Sequence, residues 1–218
     1  MTRIFALLSL LVLLGCVTEG PRSGVPLDFE ANSGLLSGKY DGADAGYLIM
    51  SLAAAHSHIA YNSYTIRFRK TDRSVAGGVW WGQHNISDQR KLDIKDRNET
   101  GIVDVRRLPP GDYEIFNYNI YFNSSYVQKS WWSEQDFAIP FTIAPGKATY
   151  VGEFMAVGIT GKNILGIPVP DGGYFVLSDK SSRDLSIARQ KELRLGDVTN
   201  AVADPNAIGN PLIRARIE

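Results

Sequence analysis

A mainly β chain, folded as an antiparallel two-sheet sandwich with one C-terminal helix, is what this 218-residue sequence predicts. Three observations carry the expectation. Runs rich in β-branched and aromatic residues recur from residue 46 onward, and Pro-Gly turn signals precede two of the longest. A helical pattern with plausible start and stop residues occurs once, near the C-terminus.

The strand candidates in order are GYLIMSLAA (46–54), SYTIRFRK (63–70), GIVDVRRL (101–108), DYEIFNYNIYF (112–122), FTI (141–143), ATYVGEFMAVG (148–158) and GYFVLS (173–178). In the fourth, Phe116, Tyr118, Ile120 and Phe122 fall on one face and Asn117, Asn119 and Tyr121 on the other, the alternation of a half-buried strand. Pro110-Gly111 and Pro145-Gly146 suit the central positions of type II turns, where Pro presets φ and Gly accepts a positive φ. SSRDLSIARQKELRLG offers Ser182 as a cap, Asp184 in the first turn, Leu185, Ala188 and Leu193 as apolar positions, and Gly196 as a stop. The tail beyond it ends in residues that suit an edge strand. About 170 residues from position 46 to the C-terminus fit one domain with a proper core.

The N-terminus reads differently. Ile4–Leu14 is almost wholly apolar, follows Arg3, and is too short to cross a bilayer core of roughly 30 Å as a helix. It reads as the apolar part of a signal peptide covering 1–15. LLGC, residues 13–16, holds the sole cysteine and resembles the bacterial lipobox. The resemblance implies that Cys16 is acylated and becomes the mature N-terminus, anchoring the chain to a membrane through several acyl chains. Val17 stands where an aspartate would imply retention at the inner membrane, so the expected location is the bacterial outer membrane, on its periplasmic side or surface-exposed. Residues 16–45, rich in Gly, Ser, Pro, Asp and Asn, read as the lipidated cysteine and a tether, and 46–218 as the sandwich domain with its helix and tail.

GIVDVRRLPPGDYEI resembles the signature of transthyretin-like, carboxypeptidase-regulatory-like sandwiches, and the longer series of strands and Pro-Gly turns is similar to bacterial lipoproteins carrying such a domain. A transthyretin-like or immunoglobulin-like sandwich is thereby implied, with no catalytic residues to carry over.

Composition excludes several kinds of chemistry. The 23 basic and 23 acidic side chains balance, so nothing recruits nucleic acid. With Cys16 acylated, disulfides, thiolate metal sites and cysteine nucleophiles drop out. GITGKN (158–163) fails as a phosphate loop, having Ala156 in place of the first glycine and Asn163 in place of Ser or Thr. DRNETGIVDVRR places Asp96, Asn98, Thr100, Gly101 and Asp104 at calcium-like offsets but ends in Arg107 instead of Glu, so a polar hairpin turn is the better reading. His56 and His58 have the spacing of two metal ligands, with His84 as a third only if the fold brings it near. The Asn-x-Ser/Thr sequons at Asn85, Asn98 and Asn123 read as chance in a bacterial chain. No cofactor or metal is called for, and no acid/base pair or nucleophile motif stands out.

The tryptophans are the candidate ligand-binding residues: Trp80 with Trp81, and Trp131 with Trp132. Neighbours on a strand face opposite ways, so at most one of each pair need enter the core while the other forms a stacking platform for a sugar ring or an anchor for a protein partner; the plainer and preferred reading is that both pairs roof the sandwich under long loops. The expected function is a non-enzymatic, lipid-anchored envelope protein acting as an interaction or structural module. Its partners are the membrane, through the anchor, and an envelope protein or glycan. The alternatives are an envelope glycan-binding module, for peptidoglycan or another polysaccharide, and a hydrolase.

Overall fold

The structure, a computed structural model, describes residues 40–57, 61–82, 92–124, 126–210 and 212–215. Residues 1–15, Cys16, most of the expected tether, His58, His84 and the Asn85 sequon lie outside the described residues. Twelve strands form two sheets: β1 (Gly46–Ala55), β2 (Ser63–Lys70), β3 (Ala76–Gly82), β4 (Ile94–Lys95), β5 (Glu99–Leu108), β6 (Gly111–Asn123), β7 (Gln128–Trp132), β8 (Ile139–Ile143), β9 (Ala148–Lys162), β10 (Pro168–Ser178), β11 (Val198–Asn200) and β12 (Ile213–Ala215). Among the described residues one α-helix, α1 (Ser181–Lys191), and a 3-10 turn at Pro205–Ala207 join them. The fold is a two-sheet β-sandwich with one helix.

The first sheet runs β12-β10-β9-β1-β5-β4, with β11 also on β9; the second runs β3-β2-β6-β7, with β8 also on β6. Every pair in the second sheet is antiparallel. The first is mixed, because β9 pairs parallel with β1 and β11, and β12 pairs parallel with β10. The strict antiparallel pattern is therefore confined to the second sheet and to the β1–β5, β4–β5 and β9–β10 pairs.

β1 shows why its apolar run does not alternate. Leu48, Met50, Leu52 and Ala54 enter the main core between the sheets, while Tyr47, Ile49 and Ala53 enter a second core on the far side. That second core is completed by Leu185, Ile187 and Ala188 of α1. A strand covered on both faces needs apolar residues at every position.

Several expectations are corrected in detail. Gly146 has φ +68°, as a turn glycine should, but Gly111 has φ +145° and opens β6, so its turn is not type II. A register shift opposite Arg67 and Phe68 turns Phe116 out of the main core and into a separate contact with Ala76. Ser182 does not cap α1; Lys180 holds the cap position, and the Asp179 carboxylate accepts from Ser181 N at 2.8 Å. The helix ends at Lys191, before Gly196, and Leu193 is exposed. β3, β4, β7 and β11 were not legible as strands, whereas the tail does supply an edge strand, β12. Asp96 and Asn98 lie on the exposed turn between β4 and β5, where Asp96 N donates to Glu99 O at 2.9 Å.

Candidate functional site

The second sheet has an outward face that carries one tryptophan of each pair. Trp81 points inward, 2% exposed, and stacks on Tyr64 at 5.7 Å. Trp131, opposite Ile120 in the ladder, packs on the main core and meets Tyr61 edge-on at 5.5 Å. Their neighbours face the other way. Trp80 pairs with Thr65, Thr65 with Asn119, and Asn119 with Trp132, so both outward tryptophans stand in one row across four strands. Both are half-buried.

The next row holds Gly78, Arg67 and Asn117. The Arg67 guanidinium sits 4.3 Å from the centre of the Trp132 ring, and burial pulls its pKa down to about 10 without discharging it at neutral pH. Arg69 lies over Phe116 at 4.2 Å and is neutralised by Glu114 at 2.6 Å and Asp136 at 3.0 Å. Arg67 and Asn117 were missed in the sequence. The available signal was the alternation of SYTIRFRK, which puts Thr65 and Arg67 on the same side.

A second surface lies at the end of the sandwich where β9 and β10 form a long hairpin. Its tip is built by Asn163, whose side-chain oxygen accepts from Leu165 N at 2.9 Å and Ile167 N at 3.0 Å. The held turn displays Ile164, Leu165 and Ile167 to solvent. Across a cleft of about 620 Å³, lined by Phe122, Val127 and Lys129 on one side and Lys162, Pro168 and Asp171 on the other, stands the β6–β7 connection with exposed Tyr126 and Val127. Of the seven large apolar side chains exposed among the described residues, six belong to this end and only Leu193 does not. Scattered exposed apolar residues are normal, but their concentration at one end is not.

The densest polar cluster is structural. Asp184 of α1 accepts from Ser51 and from Tyr150 at 2.7 Å, while Arg183 reaches Asp184 at 2.8 Å, Glu99 at 2.7 Å and Glu153. Burial raises the Glu153 carboxyl above its usual range, against the opposing pull of Arg183. Ser51, Glu153 and Asp184 are wholly buried, leaving no surface for a substrate to meet them. The cluster locks α1 to the first sheet. His56, the one described member of the histidine trio, lies exposed just past β1. Among the described residues no group of His, Cys, Asp and Glu could hold a metal, and no helix is long and apolar enough to cross a membrane.

No protein-family model matches the sequence, and no curated protein matches it. Two solved structures are similar to part of the chain. A leucine-rich repeat protein from Bacteroides thetaiotaomicron is 17% identical with a TM-score of 0.32, over 52% of this chain and 14% of its own. A candidate cell adhesion protein from Parabacteroides distasonis is 8% identical with a TM-score of 0.30, over 59% of this chain and 38% of its own. The chain thus spans well under half the length of either, and likenesses this distant carry no functional argument.

Proposed function

We propose that the chain is a lipid-anchored protein of the bacterial cell envelope, non-enzymatic, that works as an interaction module and meets a protein partner through the apolar end of the β9–β10 hairpin. One observation supports this above the others: the exposed apolar side chains gather at the end of the molecule opposite the point where the chain enters it. Tyr47 N donates to Lys147 O and Gly146 N to Ala45 O, which places the entry beside the start of β9. β1 and β9 run parallel from there. Fifteen residues of β9 at about 3.3 Å each put the hairpin tip roughly 45 Å away. A domain anchored through Cys16 can therefore point this tip away from its own membrane, toward a partner.

Burying Ile164, Leu165 and Tyr126 in a partner supplies the apolar centre that stable interfaces need, with Lys129 and Lys162 on the rim. The test is a photo-crosslinking residue placed at Leu165 in the native cell, with the same residue at Leu193 as control. A discrete protein adduct from position 165, absent from 193 and lost when Ile164 and Tyr126 are changed to Ser, is expected. No adduct, or the same adducts from both positions, overturns the reading.

A further inference from the structure

β7 closes one side of the second sheet and leaves an edge open. The sheet runs β3-β2-β6-β7, and β8 meets β6 along Gly111–Ile115, clear of the Asn119–Asn123 stretch that holds β7. Ser124 N donates to Val127 O at 3.0 Å, which makes residues 124 and 127 a hydrogen-bonded pair at the turn. Bonded and non-bonded pairs alternate along an antiparallel ladder, so Lys129 and Trp131 turn their main-chain groups toward β6. Gln128, Ser130 and Trp132 turn theirs the other way, and among the described residues nothing is bonded to those groups. The side chains of Gln128, Lys129 and Ser130 are exposed, so solvent reaches this edge.

An open edge is a template for a further strand, and proteins usually blunt it. Edges of the first sheet are blunted here. β4 and β12, which end that sheet, have only two and three residues. β12 covers Phe175–Leu177 of β10 and no more. Further out along β10, Asn163 N donates to Ile167 O at 3.0 Å, so Lys162–Pro168 and Thr160–Pro170 are the non-bonded pairs. Pro168 and Pro170 thus occupy the positions whose N–H groups would point outward, and proline has none to offer. β7, with the sequence QKSWW, carries no such block.

Lys129 decides which partner fits. A lysine on an edge repels a second copy when the two lysines stand opposite each other. Outward main-chain groups must meet outward groups, which leaves few twofold registers. Gln128 opposite Ser130 sets Lys129 against Lys129. Ser130 opposite Trp132 sets Trp131 against Trp131 and leaves Gln128 unpaired within β7. Ser130 opposite Ser130 pairs all five residues, with Gln128 meeting Trp132 and Lys129 meeting Trp131. That last contact repeats between copies what Lys129 Nζ already does within its own chain, 5.8 Å from the Trp131 ring. The same register carries Val127 and the 97% exposed Tyr126 of one copy toward Ser133 and Glu134 of the other.

We infer that β7 pairs antiparallel with β7 of a second copy, about a twofold axis at Ser130, so that two five-stranded sheets become one continuous sheet. Each outward pair exchanges two main-chain hydrogen bonds. A five-residue joint is about 17 Å long and falls short of the roughly 1,200 Å² that stable interfaces bury, so the pair is weak and is best trapped covalently. The joint rests on the main chain of β7, whereas the hairpin-end reading rests on Ile164 and Leu165, so either can fail while the other stands.

The test uses the full-length chain in the native cell, where Cys16 is the sole native cysteine. After mild oxidation, Ser130→Cys should give a disulfide-linked band at twice the chain's mass on a non-reducing gel, since the Cα atoms of such a pair lie about 5.5 Å apart, within disulfide reach. Lys129→Cys should give at least fivefold less, because that register holds the two Cα atoms about 8 Å apart. Wild type and Leu193→Cys, exposed just past α1, set the background. Adding Gln128→Pro to the Ser130→Cys chain removes an outward donor from each copy and should cut the band at least threefold with little change in melting temperature, since proline is tolerated at the first residue of a strand. If the proline variant folds poorly, the comparison of positions 130 and 129 decides. A Ser130→Cys band no stronger than background, equal bands from positions 129 and 130, or adducts of another mass alone overturns the proposal.

Discussion

At Gly146 the backbone sits at φ +68°, and a Cβ added there would meet nothing within 4 Å. Gly146→Val therefore isolates backbone strain from crowding, and a loss of about 1 kcal/mol or slightly more in urea unfolding is expected. Gly111→Val differs, because its Cβ would come within 2.4 Å of Lys70 Cε as well. The tryptophan pairs give a sharper contrast. Trp81→Ala opens a cavity in the main core and should cost about 3 to 5 kcal/mol. Trp80→Ala, on the outward face, should cost a small fraction of that. Equal losses at both positions in chemical denaturation would mean that Trp80 is also a packing residue. Strand alternation offered such an in/out split, and the structure decided it by making residues 76–82 and 128–132 strands and by turning Trp81 and Trp131 inward. The sequence did not reveal that Phe116 leaves its predicted face, since the register shift that moves it depends on how β2 pairs with β6.

The helix is held to the sheet by an apolar stripe of Leu185, Ile187 and Ala188 and by a charge cluster around the buried Asp184. Arg183 is the counterion for Glu99, Glu153 and Asp184. Arg183→Met leaves those buried carboxylates without it and should destabilise the fold by about 3 kcal/mol. Glu153 adds a pH signature. Burial raises its carboxyl above the ordinary 4.5, so the folded state binds its proton more readily than the unfolded state does. Its contribution to stability is fully present below 4.5 and is lost as pH rises through the folded value. Glu153→Gln should flatten that part of the profile, so melting temperatures of variant and wild type should converge or cross as pH is raised from 4 toward neutrality, on the order of the linkage in one group. Parallel profiles would show that Glu153 titrates alike in both states. None of this network was visible in the sequence, where Glu99, Glu153 and Arg183 are far apart and follow no common motif.

For the molecule as a whole, the lipobox-like LLGC predicts that Cys16→Ser releases the chain from membranes and abolishes fatty-acid labelling, as measured by fractionation and metabolic labelling of the native cell. A serine variant that stays membrane-bound beside an unlabelled wild type would remove the anchor reading. The anchor and the hairpin make separate demands, so Ile164→Ser with Leu165→Ser should leave fractionation and melting temperature unchanged, both residues being exposed. Loss of stability in that variant would mean that the hairpin end packs on something within its own chain.

The sequence by itself determined the fold class, most strands and the helix, because alternation, β-branched content and turn residues act within a few neighbours along the chain. It also singled out the tryptophan pairs, which alternation divides between two faces wherever they lie on a strand. Tertiary structure alone decided which outward residues meet. Trp80 and Trp132 are 52 positions apart and become one row only because β2 and β6 lie between β3 and β7. The apolar hairpin tip was hidden for a related reason. Ile164 and Leu165 lie among turn residues just past GITGKN (158–163), with no periodicity to mark them, and only the length of the β9–β10 pair carries them clear of the core. Local rules say which way a side chain points, and strand order says what it will stand beside.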